Sequence, residues 1–451
     1  MNHEQKIQNG AHKIISTCLG LNKGQELVVL FDETTQEVAC RMIDAALQTG
    51  IHPTSIFAPV GMQIRYSSLN ELPLALESAI RNASGLLTCL TDSNESYNFR
   101  VKIFSLRLDR QIKIGHMPGA TLDSLAMADA DYQRVSADCN LLALALLRGK
   151  EMDFITVDVV GQSHHLRMSL GGWERTPVIS NALIAPGTWA NIPPGETFIA
   201  PVEGSAKGEV VLRGSLPGYV IPPGKQIILQ FADGVLSSWT SNDPGCIKVI
   251  EDLKNYALQI NNPTWSVLAE IGIGVNPAIE RLYGVEVLDE KKAGTAHIAI
   301  GANDWFGGRV KSDSHNDLVA LSPTITIDGK PIMAAGTLVT DMAQWQERLD
   351  ALLVDQTWIS SFTRIARSGI QIESEHQKLF RVWKSGRGEL KLVQVGDNEA
   401  AMHAHCLYHL LPTIQRQIEV QTLFSRVNGL DLERFYRLLR LLLMYELIRI
   451  S

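Results

Sequence analysis

No apolar run in this chain reaches the ~18 residues of a membrane span, so no membrane partner is expected. The N-terminal MNHEQKIQNGAHKI is polar and lacks the apolar core of a secretion signal. Cysteines are few and scattered: Cys18, Cys40, Cys89, Cys139, Cys246 and Cys406, with no C-x-x-C pair. Such spacing argues against a zinc ribbon or a disulfide framework and fits a reducing cytoplasm; these thiols read as core. Neither G-x-G-x-x-G nor G-x-x-x-x-G-K-[ST] occurs, so no nucleotide site is signalled. There is no low-complexity tract and no internal repeat of roughly 20–50 residues. A net charge of −7 gives no general case for nucleic acid.

What is present is globular: 45% hydrophobic and 20% charged residues in a chain of 451, long enough for two or three domains. From about residue 10 to 150, helical and strand patterns alternate. Lys13 to Leu19 and Glu37 to Thr49 have helical period, and Leu74 to Asn82 follows Pro73, a helix-start signal. Glu26 to Phe31, His52 to Ala58, Gly85 to Leu90 and Gln111 to Gly115 read as strands. Short links between them predict an α/β domain with a mostly parallel sheet over residues 1–152.

From about Asp153 the texture changes to short β-type runs broken by Gly and Pro: FITVDVV, HLRMSL, TFIAP, GEVVLRG and QIILQFADG. With strands over Ser266 to Gly272, His297 to Gly301, Asp317 to Leu321 and Thr324 to Ile327, and a helix near Leu253 to Leu258, this predicts a β-rich domain over 153–340. Residues 341–451 read as a third, small α+β module. A hairpin crosses Ser385-Gly386-Arg387-Gly388, three helical segments follow from Asn398, Gln417 and Leu432, and a strand closes the chain. From Lys378 onward, eleven Lys and Arg face seven Asp and Glu, a net +4 that leaves −11 for the rest.

The candidate chemistry lies in four segments of the second domain. They are Asn191 to Pro201 with Glu196, Leu268 to Asn276 with Glu270, Gly294 to Gly301 with His297, and Ser314 to Asp317. His315 and Asp317 form an H-x-D pair. On a strand they share a face about 7 Å apart, a spacing that suits a metal ion. His297 sits on an apolar run where a polar ring needs a partner, and alone it reads more readily as a satisfied core histidine than as a ligand. Glu270 between apolar neighbours is harder to leave unpaired. Three carboxylates and two imidazoles suit a two-metal hydrolytic site.

In order and spacing these four segments resemble the metallo-aminopeptidase family typified by aminopeptidase T and aminopeptidase S, over about residues 10–340. The resemblance implies an N-terminal α/β domain and a β-rich domain holding two divalent metals, Zn, Co or Mn. It carries Glu196, Glu270, His297, His315 and Asp317 over as metal ligands. Two positions depart from the family. Gly195-Glu196 stands where two adjacent acids are usual, and Asp304 stands where the family has a Tyr, seven residues after the first His; Asp304 is a further candidate ligand. The resemblance implies a metal-activated water attacking a peptide N-terminus, with Glu196 moving the proton. A second resemblance, to the 2,5-dihydroxypyridine dioxygenases, implies one Fe(II) on two His and an Asp. His315 and Asp317 match that H-x-D, but the family's other histidine falls where this chain has Glu270. A non-catalytic peptide- or DNA-binding protein is the third reading.

Outside these segments, His116 could line the cleft between domains, and Trp305-Phe306 could shape a substrate pocket or pack in the core. His164-His165, on a strand, would point to opposite faces. His403, His405, Cys406 and His409 form a weak metal-type cluster. In the tail, Arg434, Arg437 and Arg440 recur at spacing three and form one basic stripe. The tail loosely resembles winged-helix modules of the PqqD-like type, which bind leader peptides. That implies recruitment of a peptide, with DNA phosphates or homodimer packing as other uses of the same surface.

Overall fold

The computed structural model describes residues 2–339, apart from 92, 108–111, 172–174, 176 and 185. Beyond 339 the described residues are three short strands, Leu353–Asp355, Gln417–Glu419 and Arg449–Ile450, paired antiparallel. Gln417–Glu419 is thus strand where the sequence pattern reads helix. The expected hairpin, the His403–His409 cluster and the stripe Arg434, Arg437 and Arg440 lie outside the described residues.

The first layer is a five-stranded parallel sheet. Its strands are β1 (Glu26–Phe31), β2 (His52–Phe57), β3 (Gly85–Cys89) and β4 (Lys113–His116), with one edge strand from far down the chain. The central β1 and β3 are apolar runs, and β3 is buried at all five positions, as expected of a strand covered on both faces. The first helix, His3–Lys13, starts ten residues before the period recognised at Lys13. Asn2 caps it by accepting from Gln5 N–H; Ile7 and Ala11 make its buried stripe, which Ile14, Ile15 and Cys18 continue in the wider turn Ile14–Cys18 that follows. Long polar neighbours hide that stripe from a composition-based reading.

Two antiparallel sheets follow. The second sheet is built around β5 (Glu151–Val157), β6 (Ser163–Ser169), β10 (Lys207–Leu212) and β13 (Ile227–Ala232), with β14 (Val235–Ser241) and β18 (Thr324–Ile327) beside them. Its strands β5 and β6 alternate buried and exposed; His164 is buried against Glu209, and His165 is exposed beside Asp153. The third sheet centres on β9 (Glu196–Ile199), β15 (Leu268–Gly274), β16 (Thr295–Gly301) and β17 (His315–Leu321), with β7 (Val178–Ser180) at its edge. Ile271, Ile298, Ile300 and Leu318 on its inner face share one core with Phe154, Leu166, Val210 and Phe231 of the second sheet. The two antiparallel sheets therefore form a sandwich.

The helix Tyr132–Arg148 packs against β9 on the side of the sandwich core: Thr197, opposite Ile273, donates to the Cys139 carbonyl at 3.0 Å, and Cys139 donates to the Glu196 carbonyl at 3.3 Å. Between β7 and β9 the chain also returns to the first layer. β8 (Trp189–Asn191) adds a fifth parallel strand beside β4, pairing His116 with Asn191. Five residues later it delivers Glu196.

Candidate metal centre

Register decides which side chains meet. Across β15, β16 and β17, Gly272 lies opposite His297 and His297 opposite Val319; Glu270 lies opposite Ala299 and Ala299 opposite Asp317. His315 lies opposite Gly301, and on the far side Gly274 lies opposite Glu196. Because side chains alternate, Glu196, Glu270, His297, His315 and Asp317 all project from the same face, the one turned away from the sandwich core. Glycine and alanine between them leave the space the polar groups fill. An ideal Cβ at Gly272 would stand 2.1 Å from the His297 ring, so only glycine lets that imidazole lie across the strand.

The distances fit one cation. His297 Nε2 is 3.0 Å from Glu270 Oε1 and 3.9 Å from Asp317 Oδ1. His315 Nε2 is 3.4 Å from Glu270 Oε2 and 3.6 Å from Asp317 Oδ1. Ligands about 2.0–2.2 Å from a tetrahedral ion stand roughly 3.3–3.6 Å apart, so these four side chains already approximate its edges. His315 Nδ1 is 2.7 Å from the Ala302 carbonyl, which can only accept. Nδ1 therefore carries the proton and the neutral ring offers its Nε2 lone pair inward, as a metal-binding histidine should. Asp317 Oδ1 and His297 Nδ1 are buried with no hydrogen-bond partner among the described residues. An unsatisfied carboxylate oxygen aimed into the cluster is what an ion would complete.

Electrostatics agree. Burial opposes charge on His297, but the hydrogen bond to Glu270 and the charges of Asp317, Glu270 and Glu196 outweigh it and raise its pKa. Burial likewise opposes charge on His315, yet Asp317 and Glu270 push it well above the usual histidine range. Asp317, despite burial, is held below the carboxylate range by the two rings. The cluster is thus strongly biased toward holding positive charge.

Two charged residues here were not singled out by the sequence. Lys291 is fully buried, its Nζ 2.9 Å from Glu196 Oε1 and hydrogen-bonded to Glu290. Glu290, also buried, is pushed well above the carboxylate range by desolvation and the nearby Glu196 charge. In sequence, Asp289-Glu290-Lys291-Lys292 reads as a solvated charge run, and nothing local marks it as buried. Glu196, Glu290 and His297 form one ligand-like group, and Glu270, His297 and Asp317 a second.

Other sequence candidates separate. Asp304 sits on the exposed turn Asp304–Phe306, three residues past the end of β16, and belongs to neither group. It is therefore left out of the ligand set. At Gly195, φ is +130° and an added Cβ would meet Asn276 at 2.4 Å, so this backbone has no room for an acid there. His116 is in the first sheet, near-buried, edge-on to the stacked rings of Phe104 and Trp189 and 2.8 Å from Thr88 Oγ1; burial and Arg100 lower its pKa to about 3. It serves that packing and does not join the cluster. Trp305 is 61% exposed, its ring 6.0 Å from His315 and 4.5 Å from Phe306, so it stands beside the cluster's open side. Its loop is anchored: Arg175 donates to the Gly307 carbonyl at 2.7 Å and pairs with Glu203, which accepts from Arg309 N–H at 2.7 Å.

No family model matches this sequence, and no curated protein matches it. Solved structures do. A 2,5-dihydroxypyridine dioxygenase from Pseudomonas putida KT2440 superposes with a TM-score of 0.57 at 18% identity, covering 75% of this chain and 98% of its own. Wild-type AmpT from Thermus thermophilus superposes with a TM-score of 0.51 at 15% identity, covering 75% of this chain and 100% of its own. At such identities the likeness establishes a shared fold.

Proposed function

We propose that this chain is a metal-dependent exopeptidase, a hydrolase that cleaves the first peptide bond of a substrate docked by its free amine. The observation that carries the reading is the meeting of two imidazole Nε2 atoms and two carboxylates at 3.0–3.9 Å around an unsatisfied Asp317 oxygen. A divalent ion held there, Zn, Co or Mn, expanding to a fifth position beyond the four side chains, would supply a bound water of pKa near ~7 and polarise the scissile carbonyl. Glu270, His297, His315 and Asp317 are the residues to hold it. His315, only partly buried, marks the side from which substrate enters, and Trp305 offers an apolar wall there. Glu196 has Oε1 engaged by Lys291 and Oε2 3.7 Å from His297 Nε2. It is the group to carry a proton from water to the leaving amine. Arg434, Arg437 and Arg440 would receive an acidic stretch of a dedicated peptide; only their spacing supports that role.

The test is hydrolysis of free and N-acetylated dipeptide amides by the full chain, stripped of metal and then reloaded with each of the three ions. Cleavage restricted to free amines and restored by metal is expected. A metal-loaded chain that cleaves none of a broad panel sinks the reading.

A second reading has its own support. His297, His315 and Asp317 make a two-histidine, one-carboxylate set of the kind that binds Fe(II) in oxygenases, and one similar structure is a 2,5-dihydroxypyridine dioxygenase. Glu270 as a fourth ligand leaves fewer positions for oxygen and substrate, which favours hydrolysis. Oxygen uptake by the anaerobically Fe(II)-loaded chain with a dihydroxypyridine would reverse the preference.

A further inference from the structure

The two ligand-like groups in the centre overlap, and the overlap limits what they can hold. Both draw on His297. A neutral imidazole has one lone pair, so its inward Nε2 can serve one ion and cannot bridge two. The first group, Glu196 and Glu290, is also already engaged by a cation of the chain's own: the buried Lys291 ammonium, 2.9 Å from Glu196 Oε1 and hydrogen-bonded to Glu290.

That ammonium is fixed by backbone. Asn276 N–H donates to the Lys291 carbonyl at 2.8 Å, and the Asn276 carbonyl accepts from Ala293 N–H at 2.9 Å. Asn276 Nδ2 also donates to the Pro194 carbonyl at 2.8 Å, two residues before Glu196. One buried asparagine therefore anchors both the segment carrying Lys291 and the segment carrying its partner. The segment lies directly on β15: a Cβ at Gly274 would stand 2.6 Å from the Glu290 carbonyl oxygen and 2.8 Å from the Lys291 carbonyl carbon. Withdrawing the ammonium to admit a metal would leave a buried charge without partners, because Lys291 is fully enclosed.

We propose that Lys291 Nζ stands where a two-metal site has its second cation, so that the centre takes a single divalent ion on Glu270, His297, His315 and Asp317. This deepens the metal reading above and rests on it. Lys291 is then a positioning residue. It holds one oxygen of Glu196, turns the other toward the ion, and supplies a fixed positive charge that cannot exchange with solvent.

The experiment is metal stoichiometry on the full chain, stripped by chelator and dialysed against Mn(II), with metal per chain measured and the electron paramagnetic resonance spectrum recorded. One Mn(II) per chain with an uncoupled spectrum is the expected result. Two per chain, or an exchange-coupled spectrum, overturns the inference and leaves the metal-hydrolase reading standing. No bound ion overturns both. The variant Lys291→Met removes the charge at similar volume and frees Glu196 and Glu290, and a folded variant is expected to rise from one ion to two, the second held by those two carboxylates without His297. A folded Lys291→Met chain still holding one ion overturns the role given to the ammonium. If that variant does not fold, the stoichiometry and spectrum of the unaltered chain decide alone.

Discussion

A histidine that meets metal through Nε2 depends on what holds its Nδ1. His315 has a backbone carbonyl for that purpose; His297 Nδ1 has no hydrogen-bond partner among the described residues, and its ring is placed by packing over Gly272. His315→Ala is expected to lower metal affinity by more than the roughly 10–100-fold that loss of a supporting partner costs, with the fold intact; equilibrium dialysis at graded Mn(II) measures this. Gly272→Ala leaves every ligand in place yet drives a methyl into the His297 ring. It should cost ~1–3 kcal/mol in urea unfolding and weaken metal binding as well. Away from the centre, His116 gives a pH prediction. Its pKa is lowered from 6.5 to about 3, so between those values the unfolded chain takes up a proton that the folded chain refuses. Its contribution is complete above pH 6.5 and is lost as pH falls, at about 1.4 kcal/mol per unit. His116→Asn should flatten the acid side of the stability profile relative to the unaltered chain. Identical slopes from pH 7 to 5 would count against this.

At the scale of strands, legibility followed burial. Strands of the second sheet have one face toward the core, so their alternation was readable and Thr324–Ile327 fell where the pattern placed it. In the third sheet both faces are enclosed, alternation vanishes, and the strands read as continuous apolar runs. That same enclosure made Glu270 and His297 conspicuous, since polar groups among isoleucines and alanines need a reason. Lys291 had no such contrast. Its burial comes from a loop folding onto Gly274, a contact between segments that no local pattern encodes. Asp304, taken from the position of a family Tyr, lies on a turn past Gly301, where β16 ends, and joins neither ligand-like group. Gly274→Val should lift that loop off β15. The expected cost is again ~1–3 kcal/mol, with greater hydrogen-exchange at Asn276 and Ala293 amides, whose bonds tie the loop down.

For the molecule as a whole, a bound ion should act as a stabilising ligand. Among the described residues the cluster gathers four buried carboxylates, Glu196 and Glu290 on the Lys291 ammonium and Glu270 and Asp317 on the two imidazoles. Divalent metal at about 100 times its Kd is expected to add ~2.7 kcal/mol, seen as a rise in Tm that a chelator reverses and that His315→Ala abolishes. No helix among the described residues is long and apolar enough to cross a membrane. The parallel sheet carries a last consequence. Its outermost strand, Trp189–Asn191, is encoded after β5 and β6 of the sandwich have already been spelled out. During synthesis the first sheet stays one strand short until Asn191 has left the ribosome. Two separately expressed halves divided after Gly149, between the helix Tyr132–Arg148 and β5, should therefore each be incomplete, and should recover structure only when mixed.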